Sequence, residues 1–176
     1  MPGAVYLEAE AVTLTTIEEE DLPFLRDTIN DPAVRAGVLY RPPLNLAQER
    51  EYFETVVCDD GSVNLLVCVE GEPAGTIGLE GIDEVNGTAE IGLFLAESHW
   101  GEGVGTEAAR LVTDFAFSER RLHRVYARVR TDNAASARIW EKLGYRHEAT
   151  HREAVFHEGE HVDLELYAAL ADEWDG

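Results

Sequence analysis

Three alternate glycines lie between a predicted strand and a long predicted helix, in the segment Trp-Gly-Glu-Gly-Val-Gly-Thr at residues 100–106. Glycine enters the left-handed backbone region at little cost and lets a chain approach a ligand closely. The first amide groups of a helix have no partner within the helix, and the helix dipole favours an anion beside them. The segment therefore predicts a phosphate or pyrophosphate pocket. The alternative is a turn of purely structural use, because glycine turns before helices are common.

Two familiar nucleotide-binding loops are excluded by the residues around these glycines. No Lys-Ser or Lys-Thr pair follows them, as a P-loop requires. Their spacing also differs from the G-x-G-x-x-G dinucleotide fingerprint. A phosphate binder of another reaction class is therefore a weak alternative, which relative affinities for ATP, NAD and CoA would test.

The hydrophobic pattern of the whole chain predicts an α/β fold with a mixed sheet. Period-two runs predict strands at 12–15, 63–70, 73–81, 88–96, 124–130, 145–156 and 161–169. Helical spacing of apolar residues predicts helices at 17–30, 46–57, 104–118 and 133–143, the last closed by Gly144. Thr16 and Glu19 are predicted to form a capping box for the first helix, which Asp31-Pro32 ends. The segment 33–45 is expected to be a loop or a short helical turn.

The charge balance is strongly acidic, with 35 acidic and 14 basic residues and a net charge of −21. Because phosphate recognition depends on clustered Lys and Arg, a nucleic-acid partner is not expected. A hydrophobic content of 45% also argues against a disordered acidic chain. Only Lys142 among the basic residues is a lysine, a pattern that favours a halophilic source, since about 1 M salt shortens the screening length to about 3 Å. An ordinary acidic protein from a G+C-rich gene is the alternative.

Nothing in the chain predicts a disulfide framework, a membrane span or a metal centre. Cys58 and Cys68 are the two cysteines, and no run approaches the roughly 18 apolar residues of a transmembrane helix. No secretory signal is recognised, so a cytoplasmic location without a membrane partner is expected. The six histidines are dispersed; His147 and His151 are expected to share one face of a strand without chelating geometry, and no metal is predicted.

A second motif lies on the helix after the sixth predicted strand. Asn133 is a predicted N-cap whose amide would face a ligand, and Ser136 follows one turn later on the same face. In order and spacing, Ala-Glu-Ile-Gly-Leu at 89–93, the glycine turn, and Asn-x-x-Ser with Glu-Lys-Leu-Gly-Tyr at 141–145 resemble the GNAT N-acetyltransferase superfamily. Within that superfamily the chain is similar to the RimJ/RimL-type branch. The resemblance extends over residues 12–170.

The resemblance implies a fold, a cosubstrate and a set of binding residues. It implies one GNAT-like domain over residues 1–176, with about six to seven strands, about four flanking helices, and two splayed parallel strands that form a cleft for acetyl-CoA. Acetyl-CoA would be held by the backbone of Leu93, Phe94 and Leu95, by the turn residues Gly101, Glu102, Gly103, Val104, Gly105 and Thr106, and by Asn133 and Ser136. Trp100 departs from the Gln or Arg that the family often has.

Catalysis of acetyl transfer to an amine requires a base, and Glu90 is the predicted one, since Glu90, Gly92 and Phe94 alternate onto one strand face. A solvated carboxylate is the alternative reading of Glu90, and other candidate bases are Glu97, His99 and His123. A backbone N–H of Leu93–Leu95, near a bulge, would stabilise the oxyanion.

Two residues depart from positions at which relatives carry acid–base groups. Trp140 stands where many relatives have a proton-donating tyrosine, and Arg128 stands at another common base position. Ser136 or a water molecule would therefore protonate the thiolate, with Tyr145 a remote third candidate. These departures leave a non-catalytic acyl-CoA sensor as the rival function.

The acceptor is expected to be a primary amine. The RimJ/RimL likeness favours a protein or peptide N-terminus, and a small amine such as a polyamine, an amino sugar or an amino acid is the alternative. The segment 31–45 and the hairpin at 156–161 are expected to shape the acceptor side of the cleft. The protein is expected to be a monomer or a homodimer.

Overall fold

A computed structural model describes residues 3–39 and 42–176. Within them, eight strands form one mixed sheet with five α-helices packed against it. The strands are β1 (Val5–Glu8), β2 (Thr13–Thr16), β3 (Val63–Val69), β4 (Glu72–Asp83), β5 (Thr88–Leu95), β6 (Arg124–Arg130), β7 (Arg146–His157) and β8 (Glu160–Leu170). The helices are α1 (Leu22–Asn30), α2 (Pro32–Gly37), α3 (Leu46–Tyr52), α4 (Val104–Ser118) and α5 (Ala134–Lys142).

The strand order is β1-β2-β3-β4-β5-β6-β8-β7, and among these described strands only β5 and β6 pair in parallel. Their pairing covers three positions and ends where Glu90 lies opposite Tyr126. Beyond that point β5 continues beside β4 to Leu95, and β6 continues beside β8 to Arg130. The two central strands therefore separate and leave a cleft within the sheet.

One face of the sheet carries the larger apolar core. Ile77, Leu79, Ala89 and Ile91 point from β4 and β5 toward α4 and are at most 2% exposed. Helix α4 buries a matching stripe, as its helical spacing predicts, with Val104, Ala108, Ala109, Val112, Phe115 and Ala116 in this core.

The other face is covered on one half only. There α1 and α3, with the π-helical turn Phe53–Val57, pack over β2 and β3 on a small core of Ile17, Leu22, Leu25, Leu66 and Cys68. The half formed by β5, β6 and β8 bears polar side chains instead. It contains a depression of about 540 Å³ lined by Thr88, Glu90, Arg124, Tyr126, Arg128, His151 and Leu166.

The predicted mixed α/β class is confirmed, and the boundaries of β6 and α4 are as predicted. The described residues contain one strand that the sequence did not predict, β1, and the short helix α2 begins at Pro32, next to the segment that was expected to be a loop or a short helical turn. The predicted capping box of Thr16 and Glu19 is wrong. The amide of Glu18 donates to the Asp21 carboxylate at 2.9 Å, because a 3₁₀ turn at Glu19–Asp21 precedes α1.

The expectation that His147 and His151 share a strand face is also wrong. A register shift between His147 and Ala149 inserts one extra residue into β7 relative to β8. Such a bulge reverses the facing of the residues that follow it. His147 therefore contacts the Tyr167 ring, whereas His151 borders the depression on the opposite face.

Candidate active site

The cleft between β5 and β6 exposes backbone that has no partner strand. From Gly92 to Leu95, β5 is paired on its β4 side but has no pairing to β6. Unpaired N–H and C=O groups at such an edge bind an extended chain readily. The predicted bulge near Leu93–Leu95 is absent, since the β4–β5 register is regular from Gly75/Leu95 to Glu80/Glu90 and is interrupted only between Glu80 and Asp83.

The glycine turn lies beyond the end of β5 and leads directly into α4. Gly101 and Gly103 have φ of +76° and +84°, which side-chain-bearing residues rarely adopt. Gly105 serves close packing instead, since a Cβ there would lie 3.0 Å from Ile139 Cδ1 on α5. The first backbone bond of α4 is from Glu107 N to Gly103 O, so the preceding amides of the turn are available to an anion.

The indole of Trp100 fixes this turn to the sheet. Its Nε1 donates to the carbonyl oxygen of Leu95 at 2.9 Å. One carbonyl lone pair of the strand end is therefore occupied by the protein itself. The ring is about half exposed beside the cleft.

Asn133 caps α5 as predicted, and its amide group has a second contact. Its Oδ1 accepts from Ser136 N at 3.1 Å, and its Nδ2 donates to Gly37 O at 3.2 Å. The side chain thus joins the end of α2 to the start of α5. Ser136 lies one helical turn before Ile139, the residue that faces Gly105 in the first turn of α4.

Glu90 faces the depression, as the predicted alternation requires. Its side chain is 22% exposed, and its Oε1 accepts from Arg128 Nε at 2.7 Å. This hydrogen bond is the largest cause of the raised pKa of Arg128, which burial partly opposes. Glu90 therefore stands at the last paired position before the cleft, with one oxygen held by a permanent cation.

These features agree with the comparison to known families, in which residues 11–146 match the model described as Acetyltransferase (GNAT) domain. The chain belongs to the GNAT family of acetyltransferases. The uncharacterized N-acetyltransferase p20 of Bacillus licheniformis is 30% identical over 175 residues, covering 97% of this chain and 98% of that protein. The spermidine N(1)-acetyltransferase of Escherichia coli K12 is 27% identical over 78% of this chain and 74% of its own.

A solved structure shares the fold across nearly the whole chain. It is the spermidine N-acetyltransferase of Vibrio cholerae in complex with CoA and spermine, with a TM-score of 0.87 at 21% identity, covering 93% of this chain and 97% of that chain. The family membership and these relatives establish this GNAT protein as an acetyl-CoA-dependent N-acetyltransferase.

Trp140 on α5 and Tyr145, three residues after the helix ends, both lie away from solvent. Trp140 is 2% exposed, and its Nε1 has no hydrogen-bond partner among the described residues. The Tyr145 hydroxyl bonds to Thr113 Oγ1 at 2.8 Å, and burial raises the pKa of Tyr145. This position inside the core argues against Tyr145 as a proton donor in the cleft.

The alternative bases lie outside the depression. Glu97 and His99 belong to the short 3₁₀ turn that follows β5. His123 precedes β6 beside Gly87, at the end of the sheet away from the cleft. Geometry therefore favours Glu90 among the predicted candidates.

Arg130, at the cleft end of β6, is a buried anchor that no pattern in the sequence indicates. Arg130 is 4% exposed; it donates to the carbonyl oxygens of Ala36 and Val38 and pairs with Asp132. The imidazole of His157 lies 3.2 Å from the same guanidinium. Since guanidinium only donates, His157 Nε2 accepts there. Strand β6 thereby holds the C-terminal end of α2 and the residue that follows it.

Within residues 3–39 and 42–176, no group of three or more His, Cys, Asp or Glu side chains is arranged to hold a metal ion. No helix in the same ranges is long and apolar enough to cross a membrane.

Proposed function

We propose that Glu90 accepts the proton of a primary amine that reacts directly with acetyl-CoA in a ternary complex. The observation that carries this proposal is the position of Glu90, where β5 and β6 separate and the polar depression begins. An alkylamine is mostly protonated near pH 7, so a carboxylate at this point serves as general base.

The proton and bond changes balance with the residues present. Bound acetyl-CoA supplies the acetyl thioester. The amine arrives as an ammonium ion and loses one proton to Glu90, after which its nitrogen bonds to the acetyl carbon and the carbon–sulfur bond breaks. The second proton lost by the nitrogen reaches the sulfur through Ser136 or a water molecule, which gives one proton and takes up another. Arg128 orients Glu90, and being permanently charged it is no base itself.

The chain fits acetyl-CoA at its cleft. The free amides after Gly103 suit a pyrophosphate, and Gly101, Glu102, Val104, Gly105 and Thr106 complete that turn. The open edge of Leu93, Phe94 and Leu95 suits the amides of the pantetheine arm. Asn133 and Ser136 are proposed to contact the cosubstrate from α5.

The class of the amine remains a proposal. The sequence favours a protein or peptide N-terminus, and the Bacillus subtilis relative YdaF, 29% identical over 174 residues, has a provisional name that refers to ribosomal N-acetylation. The Escherichia coli relative is named for spermidine, a small polyamine. Both acceptors present the primary amine that the mechanism needs.

The decisive experiment combines binding with turnover. Calorimetric titration of acetyl-CoA is expected to give one site per chain, and thiol release with an amine panel is expected to depend on the acceptor. Binding without thiol release for any amine would favour the rival, a non-catalytic acyl-CoA sensor. Absence of binding to folded protein would contradict the proposal.

The high-salt adaptation, the RimJ/RimL-type assignment and the cytoplasmic location are also proposals. The composition supports the first, since 35 carboxylates repel one another at low salt. The titration is therefore performed at about 2 M KCl and at low salt, where the screening length differs severalfold. Unfolding midpoints that fall as KCl is removed are expected; midpoints independent of KCl would contradict the first proposal.

A further inference from the structure

A carboxylate on α3 is buried without a counter-charge. Glu49 is only 7% exposed, and no described residue lies within hydrogen-bonding or ion-pair distance of its side chain. Buried charges in proteins are normally paired, because removing an ion from water is costly. Glu49 is therefore suited to a cation that comes from outside the described residues.

Tyr52 links Glu49 to a second carboxylate. It follows Glu49 by three residues, so the two side chains lie on the same face of α3. The Tyr52 hydroxyl donates to Glu80 Oε1 at 3.2 Å. After burial, the charge of Glu80 and then that of Glu49 raise the pKa of Tyr52, so the hydroxyl stays protonated near both carboxylates.

The second carboxylate adjoins the proposed base. Glu80 on β4 is the direct cross-strand partner of Glu90 on β5, and such pairs have Cβ atoms about 5 Å apart. Arg128 pairs with Glu90, whereas the described contact of Glu80 is the neutral Tyr52 hydroxyl. The hydrogen bond to Glu90 and the charges of Glu90 and Glu80 raise the pKa of Arg128, so these two carboxylates share one arginine, and Glu49 has none among the described residues.

Space for a ligand is present beside these groups. Gly92 lies two residues after Glu90 on the same strand face, and a Cβ at Gly92 would meet no atom within 4 Å. Phe94 continues that face and packs against the small core, as Phe53 and Leu46 also do. An alkyl chain fits apolar walls of this kind, and an ammonium group fits the carboxylates.

We infer that Glu49, Tyr52 and Glu80 form a subsite for a second ammonium group of the acceptor, which makes the substrate a linear alkyl diamine or polyamine. The inference rests on the proposed function, since Glu90 receives the reacting amine. The subsite offers carboxylate acceptors, whereas the carbonyl groups of a peptide would require donors. A monoamine would leave the carboxylates unpaired.

Putrescine and butylamine test this inference, because they share a four-carbon chain and differ by one amino group. The measurement is kcat/KM by thiol release at saturating acetyl-CoA. A charge-assisted contact predicts a putrescine preference of about 10- to 100-fold. In Glu49→Gln and Glu80→Gln, the ratio of the two kcat/KM values is expected to fall about tenfold.

Glu51→Gln is the matched control, because Glu51 lies on α3 and is exposed. It is expected to keep the ratio of the parent protein, and thermal melts verify that each variant folds. Equal kcat/KM for putrescine and butylamine, or an unchanged ratio in both Glu49→Gln and Glu80→Gln, would overturn the subsite.

A further measurement distinguishes a failure of the subsite from a failure of the proposed acetyl transfer. If acetyl-CoA binds but no amine or peptide releases thiol, calorimetry of putrescine and butylamine with the CoA complex tests the subsite alone. Tighter binding of putrescine that Glu49→Gln removes would support the subsite without catalysis. Equal binding of the two amines would overturn it.

Discussion

The two faces of the sheet differ in what they bury and in what the sequence reveals about them. On the α4 face, apolar side chains from β4 and β5 meet the stripe of α4 in a dense core. On the opposite face, β5 and β6 present Glu90, Arg128 and Tyr126 to a depression. The first face holds the glycine turn in place, and the second leaves charged groups accessible in the depression.

The difference shows that a single strand, β5, separates the packed face of the sheet from the polar face. Alternate residues of β5 point to opposite faces, so Ile91 stabilises the core while its neighbour Glu90 borders the cleft. Substitutions on one face are therefore expected to change stability or cofactor affinity, and those on the other to change turnover or acceptor choice.

The largest expected effect is that of Glu90→Gln on the polar face. Loss of a general base lowers kcat by about 10²- to 10⁴-fold. The affinity for acetyl-CoA, measured by calorimetry, is expected to stay within twofold because the turn is unchanged. Glu10→Gln, an exposed change before β2, is the control. Unchanged kcat over the full pH range would remove Glu90 as the base.

The next effect concerns stability on the apolar face. Gly105→Val places side-chain carbons where a Cβ already lies 3.0 Å from Ile139 Cδ1. Overpacking of this kind is expected to lower the free energy of unfolding by about 1–3 kcal/mol, measured by denaturant titration. Gly105→Ala is the matched control, since its contact strain is offset by a helix-propensity gain of about 1 kcal/mol. Equal stabilities for Gly105→Val and the parent protein would show that α4 does not pack as closely as described.

A third change, in the glycine turn that leads into α4, tests the affinity for the cosubstrate and not the packing of the core. Gly103→Glu forces φ of +84° on a side-chain-bearing residue and brings a carboxylate to the anion pocket, although a Cβ itself meets no atom within 4 Å. The Kd for CoA is expected to rise at least about tenfold. Gly103→Asn tolerates this backbone and adds no charge, so its loss should be smaller. Equal losses in the two variants would attribute the effect to the backbone alone.

The smallest effect is a pH-dependent gain in stability at Glu49. Burial raises the pKa of Glu49 in the folded chain above its value in the unfolded chain. The folded state then binds more protons between these two pKa values, so the free energy of unfolding falls as pH rises through that interval. Glu49→Gln removes this fall. The substitution is expected to raise the free energy of unfolding by about 1 kcal/mol at pH 7, and by less at a pH below the ordinary glutamate pKa. Denaturant titrations at pH 7 and at a pH below the ordinary glutamate pKa measure this difference in the free energy of unfolding, with Glu51→Gln as the control. If Glu49→Gln were less stable than the parent protein at pH 7, burial of Glu49 would not be costly.

Elements with a strong local period were predictable from the sequence. The apolar stripe of α4 and the alternation of β6 each repeat within one segment, so their boundaries agree with the structure. Helix α2 has a local start signal as well, since Asp31 accepts from Ala33 N and Val34 N and Pro32 occupies the first helical turn. The same Asp-Pro pair also ends α1, so the sequence alone left the choice between a loop and a short helical turn open.

The missed features depend on contacts between distant segments. Strand β1 is short and largely exposed, so it shows no alternation and depends on pairing with β2. The Tyr52–Glu80 bond joins residues 28 positions apart, and the bulge that separates His147 from His151 depends on β8. Glu90, by contrast, follows from strand alternation and motif order, which is why its facing was predictable.

The separation of β5 and β6 gives the sheet an additional, internal pair of edges. Outer edges are normally the sites at which sheets of different molecules join and aggregate. Here the free backbone of Gly92–Leu95 lies between two strands of the same sheet and not at its outer edge. An unpaired strand edge, the kind of backbone that binds an extended chain, is thus placed inside the sheet, away from the outer edges at which sheets of different molecules join.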